Sequence, residues 1–196
     1  ALLKFKKSKK FVIAYGDNYT QGAYYVASVA DKVYVNPSGM IDWHGVASQP
    51  MFFKELLEKV GVKMQVFRVG TYKSAVEPFT ATEMSEANRE QVSSYITDIW
   101  QGICQEVSAS RKIAVDTLNQ YANDYATLWE HNKYIETHLA DSLFYIDQLR
   151  GELRRMTGRD NFTLVTPVEL ATNENTLNSK NEIAVYYAYG DIVDQS

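Results

Sequence analysis

The sequence has 196 residues, 45% of them hydrophobic and 22% charged, with a net charge of −4, which is ordinary globular composition with length for one well-buried core. Apart from KFKKSKK at residues 4–10 the basic residues are dispersed, which argues against the basic, aromatic-set face of a nucleic-acid binder. The single cysteine, Cys104, excludes an internal disulfide without fixing a compartment, and no apolar run reaches the roughly 20 residues of a transmembrane helix.

In chain order, KFVIAYG (10–16) is a short apolar run closed by Gly16, as expected of a buried strand. DNYTQGAYYVASVAD (17–31) begins with capping residue types and continues at helical spacing. KVYVNPSG (32–39) returns to strand and ends on Pro37 and Gly39. PMFFKELLEKVG (50–61) reads as an amphipathic helix stopped by Gly61, and VKMQVFRVG (62–70) as another strand. Strand and helix alternating at this spacing predict an α/β fold of crossover units with a mainly parallel sheet.

From Ser85 the pattern becomes helical. Val92, Ile96, Ile99, Ile103 and Val107 form one stripe of a long amphipathic helix with Glu86 in its first turn. Helices are expected next at about 114–123 and 130–157, the last ending at Gly158. Residues 159–182 are polar and irregular and read as a linker, and 183–189 as a strand opening a second unit. The organisation expected is therefore a domain over 1–158, the linker, and the start of a further domain over 183–196. The opening ALLKFKKSKK reads as the last turns of a helix, and the closing strand has nothing after it to cover it. Both ends look cut, so the expectation is a piece of a longer polypeptide.

Among candidate chemical groups, His131 and His138 stand seven apart, two turns or about 10 Å along a helix, too far to share a metal ion. HExxH, CxxC and clustered carboxylates are absent, so neither metal nor cofactor is expected. His44 sits in a glycine-flanked loop and could line a pocket; the plainer expectation is a loop histidine beside Trp43. Cys104 reads as a small buried thiol, and the 14 tyrosines as core and interface.

Lys73, in RVGTYKSAVEPFT (68–80), has unusually apolar sequence neighbours. A lysine is a general base only when neutral, which requires burial or cationic neighbours. Gly70 allows a turn before it, Pro78 stiffens the exit, and Ser74 offers a hydroxyl. Glu77 opposes the role if its carboxylate pairs with the ammonium. These features leave Lys73 open between a solvated charge and a tuned base.

The stretch FRVGTYKSAVEPFTATEMSEANREQ (67–91) is closely similar to the segment around the base lysine in the signal peptide peptidase A (protease IV) family, and residues 10–45 are similar to the amino-terminal half of its long tandem form. EIAVYYAYGDIVD resembles the first strand of the carboxy-terminal half. The resemblance implies the crotonase/Clp protease-like fold and a serine–lysine peptidase that cleaves remnant signal peptides. In the long form the amino-terminal half supplies the lysine, here Lys73, and the carboxy-terminal half the serine. Where the nucleophile-bearing half reads Ser-Gly-Gly-Tyr, this chain reads Gln21-Gly22-Ala23-Tyr24. Thr20 is the nearby hydroxyl, about 100° around the helix. The glycine-rich oxyanion loop is also missing, as a divided site predicts.

The implied partners are peptide substrates, the carboxy-terminal half with its serine, and further copies in a homo-oligomer, a tetramer by resemblance. The implied location is the extracytoplasmic side of a bacterial inner membrane, through an anchor outside this chain. Two alternatives stand beside this: a non-catalytic half that only supports assembly, and a crotonase-type thioester enzyme, which would need an oxyanion loop and acidic residues not seen here.

Overall fold

A computed structural model describes residues 1–163, apart from Arg68 and Thr71, together with Val165, Thr166 and Val168. The strand expected at 183–189 and most of the linker lie outside the described residues. Backbone proximity divides the chain after Gly151.

The elements run α1 (Leu2–Lys6), β1 (Ile13–Gly16), α2 (Gln21–Ala27), β2 (Lys32–Val35), α3 (Lys54–Lys59), α4 (Glu77–Thr80), α5 (Glu86–Arg111), α6 (Val115–Asn123), α7 (His131–Glu136), β3 (Ser142–Leu143) and α8 (Ile146–Thr157), with a short 3₁₀ turn at Ala126–Leu128. The described sheet is parallel and ordered β1-β2-β3, pairing Ile13 with Lys32 through Gly16 with Val35, and Tyr34 with Ser142. Parallel neighbours need a crossover, and α2 supplies the one between β1 and β2. Gly39 closes the turn after β2 because the chain passes so near that a Cβ there would sit 1.7 Å from the Asp17 carbonyl oxygen.

Two expectations are corrected. The described residues of 62–70 form no strand, although half of them are β-branched or aromatic. A strand needs a neighbour for its N–H and C=O groups, and β2 pairs instead with β3, from much later in the chain. Phe67 and Val69 are consequently 89% and 88% exposed. The continuous helix expected at 130–157 is also interrupted. The chain leaves α7 through His138, at φ +62°, buries Leu139 and Ala140, and enters β3 before α8 begins. His131 and His138 therefore do not share a helix. Tertiary pairing with β2 outweighs local helix propensity here.

The core is aromatic with satisfied polar ends. Tyr24 and Trp43 are fully buried and meet edge to face at 5.8 Å. The Tyr24 hydroxyl donates to the Leu139 carbonyl at 2.8 Å, and the Trp43 indole N–H to the Leu118 carbonyl at 2.9 Å. The Tyr19 hydroxyl donates to the Tyr34 carbonyl. These bonds place large apolar rings in the interior without stranding their polar atoms. Helix α5 starts at Ser85, whose hydroxyl accepts the Asn88 N–H, and ends at Lys112 in the left-handed region. Only its C-terminal half joins the core: Cys104 and Val107 are buried, whereas Ile99 is 50% exposed. The expected stripe thus continues beyond the fully buried contact, with Val92 and Ile96 half-buried.

Candidate active site

The residue aligned with the nucleophile by resemblance, Gln21, opens α2 just after β1. Thr20 is the N-cap of that helix, its hydroxyl accepting the Ala23 N–H at 3.3 Å, so this hydroxyl serves the backbone of the first turn. The Gln21 side chain grips the following loop. Its oxygen accepts the N–H groups of His44 and Gly45 at 3.1 and 3.0 Å, and its amide nitrogen donates to the Gly45 carbonyl at 3.0 Å. A glutamine reaches three backbone groups that a serine at this position is too short to bridge, and it holds the 44–45 loop against the start of α2.

His44 projects from that loop. Its Nδ1 lies 2.8 Å from the Asp42 carboxylate, which also accepts the Thr127 hydroxyl at 3.0 Å. His44 lines a pocket of about 400 Å³ with Ile96, Trp100, Gln101 and Asn119, so the loop histidine beside Trp43 also borders a cavity. Cys104 is buried, and burial pushes its thiol up to about 11, against a nucleophilic role at neutral pH. Among the described residues no group of three His, Cys, Asp or Glu side chains could hold a metal ion, and no helix is long and apolar enough to cross a membrane.

Lys73 is exposed, in the turn between Gly70 and α4. Gly70 adopts φ +108°, a conformation that glycine takes without strain, and so redirects the chain just ahead of the lysine. The segment beyond Lys73 is fastened at two places. At one, the Phe53 N–H donates to the Pro78 carbonyl at 2.6 Å, with the Phe53 and Phe79 rings stacked at 6.1 Å. At the other, Glu77, only 3% exposed, accepts from the Ser85 hydroxyl at 2.6 Å, the Ser85 N–H at 3.2 Å and the Asn88 amide at 2.9 Å. These three hydrogen bonds join the Glu77 carboxylate to the first turn of α5. The short spacing from Glu77 to Ser85 could have suggested this link, but the sequence does not show that the chain folds back between them. Gln21 and His44 share one local arrangement, joined through the His44 N–H, and Lys73 belongs to another, in the segment between Gly70 and α4.

Comparison with known proteins gives these arrangements a family. A model of peptidase family S49 matches residues 4–158. Protease 4 of Salmonella typhi is 37% identical over 99% of this chain and 33% of its own length. Protease 4 of Haemophilus influenzae is 43% identical over 64% of this chain and 20% of its own length. The chloroplastic serine protease SPPA of Arabidopsis thaliana is 28% identical over 80% of this chain and 23% of its own length. The chain spans about a third or less of the length of these curated relatives. With its parallel sheet and packed helices in the Clp protease/crotonase-like α/β class, the chain belongs to peptidase family S49.

Proposed function

We propose that this chain is the lysine-donating half of a serine–lysine endopeptidase that degrades cleaved signal peptides. In the complete protein, neutral Lys73 takes the proton from a serine hydroxyl on the carboxy-terminal half, of the same or a neighbouring subunit. The serine oxygen then bonds to the peptide carbonyl carbon. As the C–N bond breaks, the Lys73 ammonium returns the proton to the leaving amine, and water releases the acyl group by the same proton route. The substrate enters extended, adding as a strand with small or apolar side chains in pockets. Assembly is a homo-oligomer of tetrameric order, held at the extracytoplasmic face of a bacterial inner membrane by an anchor outside this chain.

The observation that carries this reading is the surface around Lys73. Phe67, Val69 and Tyr72, 89%, 88% and 56% exposed, precede an exposed lysine, and an apolar surface of this kind is characteristic of one that a partner covers. Covering it would give Lys73 the burial that a lysine base requires. Support also comes from Gln21, whose amide is committed to the 44–45 loop at the position where a nucleophile would stand.

In the complete protein, Lys73→Ala is expected to reduce peptide hydrolysis roughly 100- to 10,000-fold, the range for removing a general base, with oligomer size unchanged. Lys73→Arg is expected to be equally inactive, because a guanidinium stays protonated. Residues 1–196 alone should show no turnover. Activity of Lys73→Ala within a few-fold of wild type refutes the base assignment. It would favour the assembly-only reading, which the exposure of Lys73 in this chain also suits.

A further inference from the structure

A base that works by proton transfer must be held within hydrogen-bond reach of the atom it deprotonates. The long lysine side chain loses much rotamer freedom on being held, so the backbone that carries Lys73 needs an anchor. Lys73 itself lies outside regular structure, just ahead of the four-residue α4, and the next long element along the chain is α5, a helix of 26 residues. One side chain links the two. The Glu77 carboxylate takes three hydrogen bonds from Ser85 and Asn88 at the start of α5, while the Glu77 backbone N–H donates to the Ser74 carbonyl at 2.9 Å. Ser74 is bonded directly to Lys73. The connection therefore runs from the first turn of α5 through Glu77 to the carbonyl of Ser74, the residue that follows the lysine.

We propose that Glu77 is the positioning residue of Lys73, fixing the 74–77 turn that follows the lysine against α5 so that the amine is presented at a constant place. This rests on the assignment of Lys73 as the base. The burial of Glu77 and its three hydrogen bonds to the start of α5 suit a mechanical role. The geometry also defines a conservative replacement. A glutamine can place its oxygen where the Ser85 N–H and Asn88 amide donate, and its amide nitrogen where the Ser85 hydroxyl can accept, which preserves all three links without the charge.

The experiment measures kcat and KM for hydrolysis of an apolar signal-peptide sequence by the complete protein carrying Glu77→Ala, Glu77→Gln, Asn88→Ala or Lys73→Ala, with circular dichroism and oligomer size as controls. Glu77→Ala is expected to lower kcat about 100-fold, the scale for displacing a catalytic group by about 1 Å, with KM within about twofold because uniform substrate binding is untouched. Glu77→Gln is expected to recover kcat to within a few-fold of wild type. Wild-type kcat in Glu77→Ala overturns the proposal, and so does a folded Glu77→Gln as impaired as Glu77→Ala, since the charge would then matter rather than the links. Should Glu77→Ala fail to fold, Asn88→Ala decides, because it removes one link from the helix side. A several-fold fall in its kcat at constant KM supports the proposal and a wild-type kcat overturns it. If Lys73→Ala is inactive while Glu77→Ala matches wild type, only the positioning role fails; if Lys73→Ala is active, the base assignment fails first.

Discussion

Replacing Asp141 by alanine tests how the third strand is held in the sheet. The Asp141 carboxylate accepts the Val33 N–H at 2.8 Å and Arg111 Nη1 at 2.9 Å, with Lys32 Nζ at 3.5 Å. Arg111 in turn donates twice to the His138 carbonyl, at 3.0 and 2.8 Å. The two side chains are 22% and 8% exposed, so water cannot readily replace the lost partner. Removing one member of a largely buried pair costs about 3–5 kcal/mol. The lower end applies here, because Arg111 keeps its bonds to His138 and Asp141 is partly wet. The orphaned N–H of fully buried Val33 adds about 1 kcal/mol. A loss of about 3–4 kcal/mol is expected in a urea titration followed by the fluorescence of Trp43 and Trp100, which lie 4.9 Å apart in the core region. The pair also sets a pH dependence. Burial alone would raise the Asp141 carboxyl, but the Val33 N–H and Arg111 outweigh it and the net direction is down. A carboxyl lower in the folded than in the unfolded state stabilises fully above its unfolded value near 3.9, and the benefit fades as pH falls through the folded value. Wild type should therefore lose more stability than Asp141→Asn below about pH 4 and run parallel to it from about pH 5 to 7. Asp31, lowered by Lys6 and the Val12 N–H, contributes with the same sign to both proteins and cancels in the difference. A loss in Asp141→Ala below about 1 kcal/mol, the range of exposed ion pairs, refutes this account.

Two further outcomes are expected. Thr20→Ala should lower stability by about 1 kcal/mol through loss of the α2 cap and leave peptide hydrolysis by the complete protein unchanged; lost activity at unchanged stability would make this hydroxyl chemical rather than structural. Cys104, buried with its thiol raised, should react with a disulfide reagent at pH 8 only as the chain opens, so labelling should accelerate with urea. Labelling of the native protein at the rate of a free thiol would contradict its burial.

The sequence alone located the elements whose signals are local. Gly16, Gly61 and Gly158 mark stops, Ser85 caps α5, and the α/β class follows from alternating patterns. Lys73 could be singled out because its neighbours in the chain are apolar, and Gln21 because the residue type there is wrong for a nucleophile. What sequence could not decide were choices between distant partners. Residues 62–70 have strand composition but gain no ladder among the described residues, while Ser142–Leu143, lying inside a helical pattern, take the place beside β2, because pairing is settled by what packs at Leu139, Arg111 and Asp141. The direction of Glu77 was undecidable for the same reason: a carboxylate four residues from a lysine can turn either way along a chain of unknown path. Only the return of the chain at Ser85 places three donors where Glu77 is buried. Propensity and spacing act over a few residues, whereas hydrogen-bond satisfaction and burial act across the whole fold.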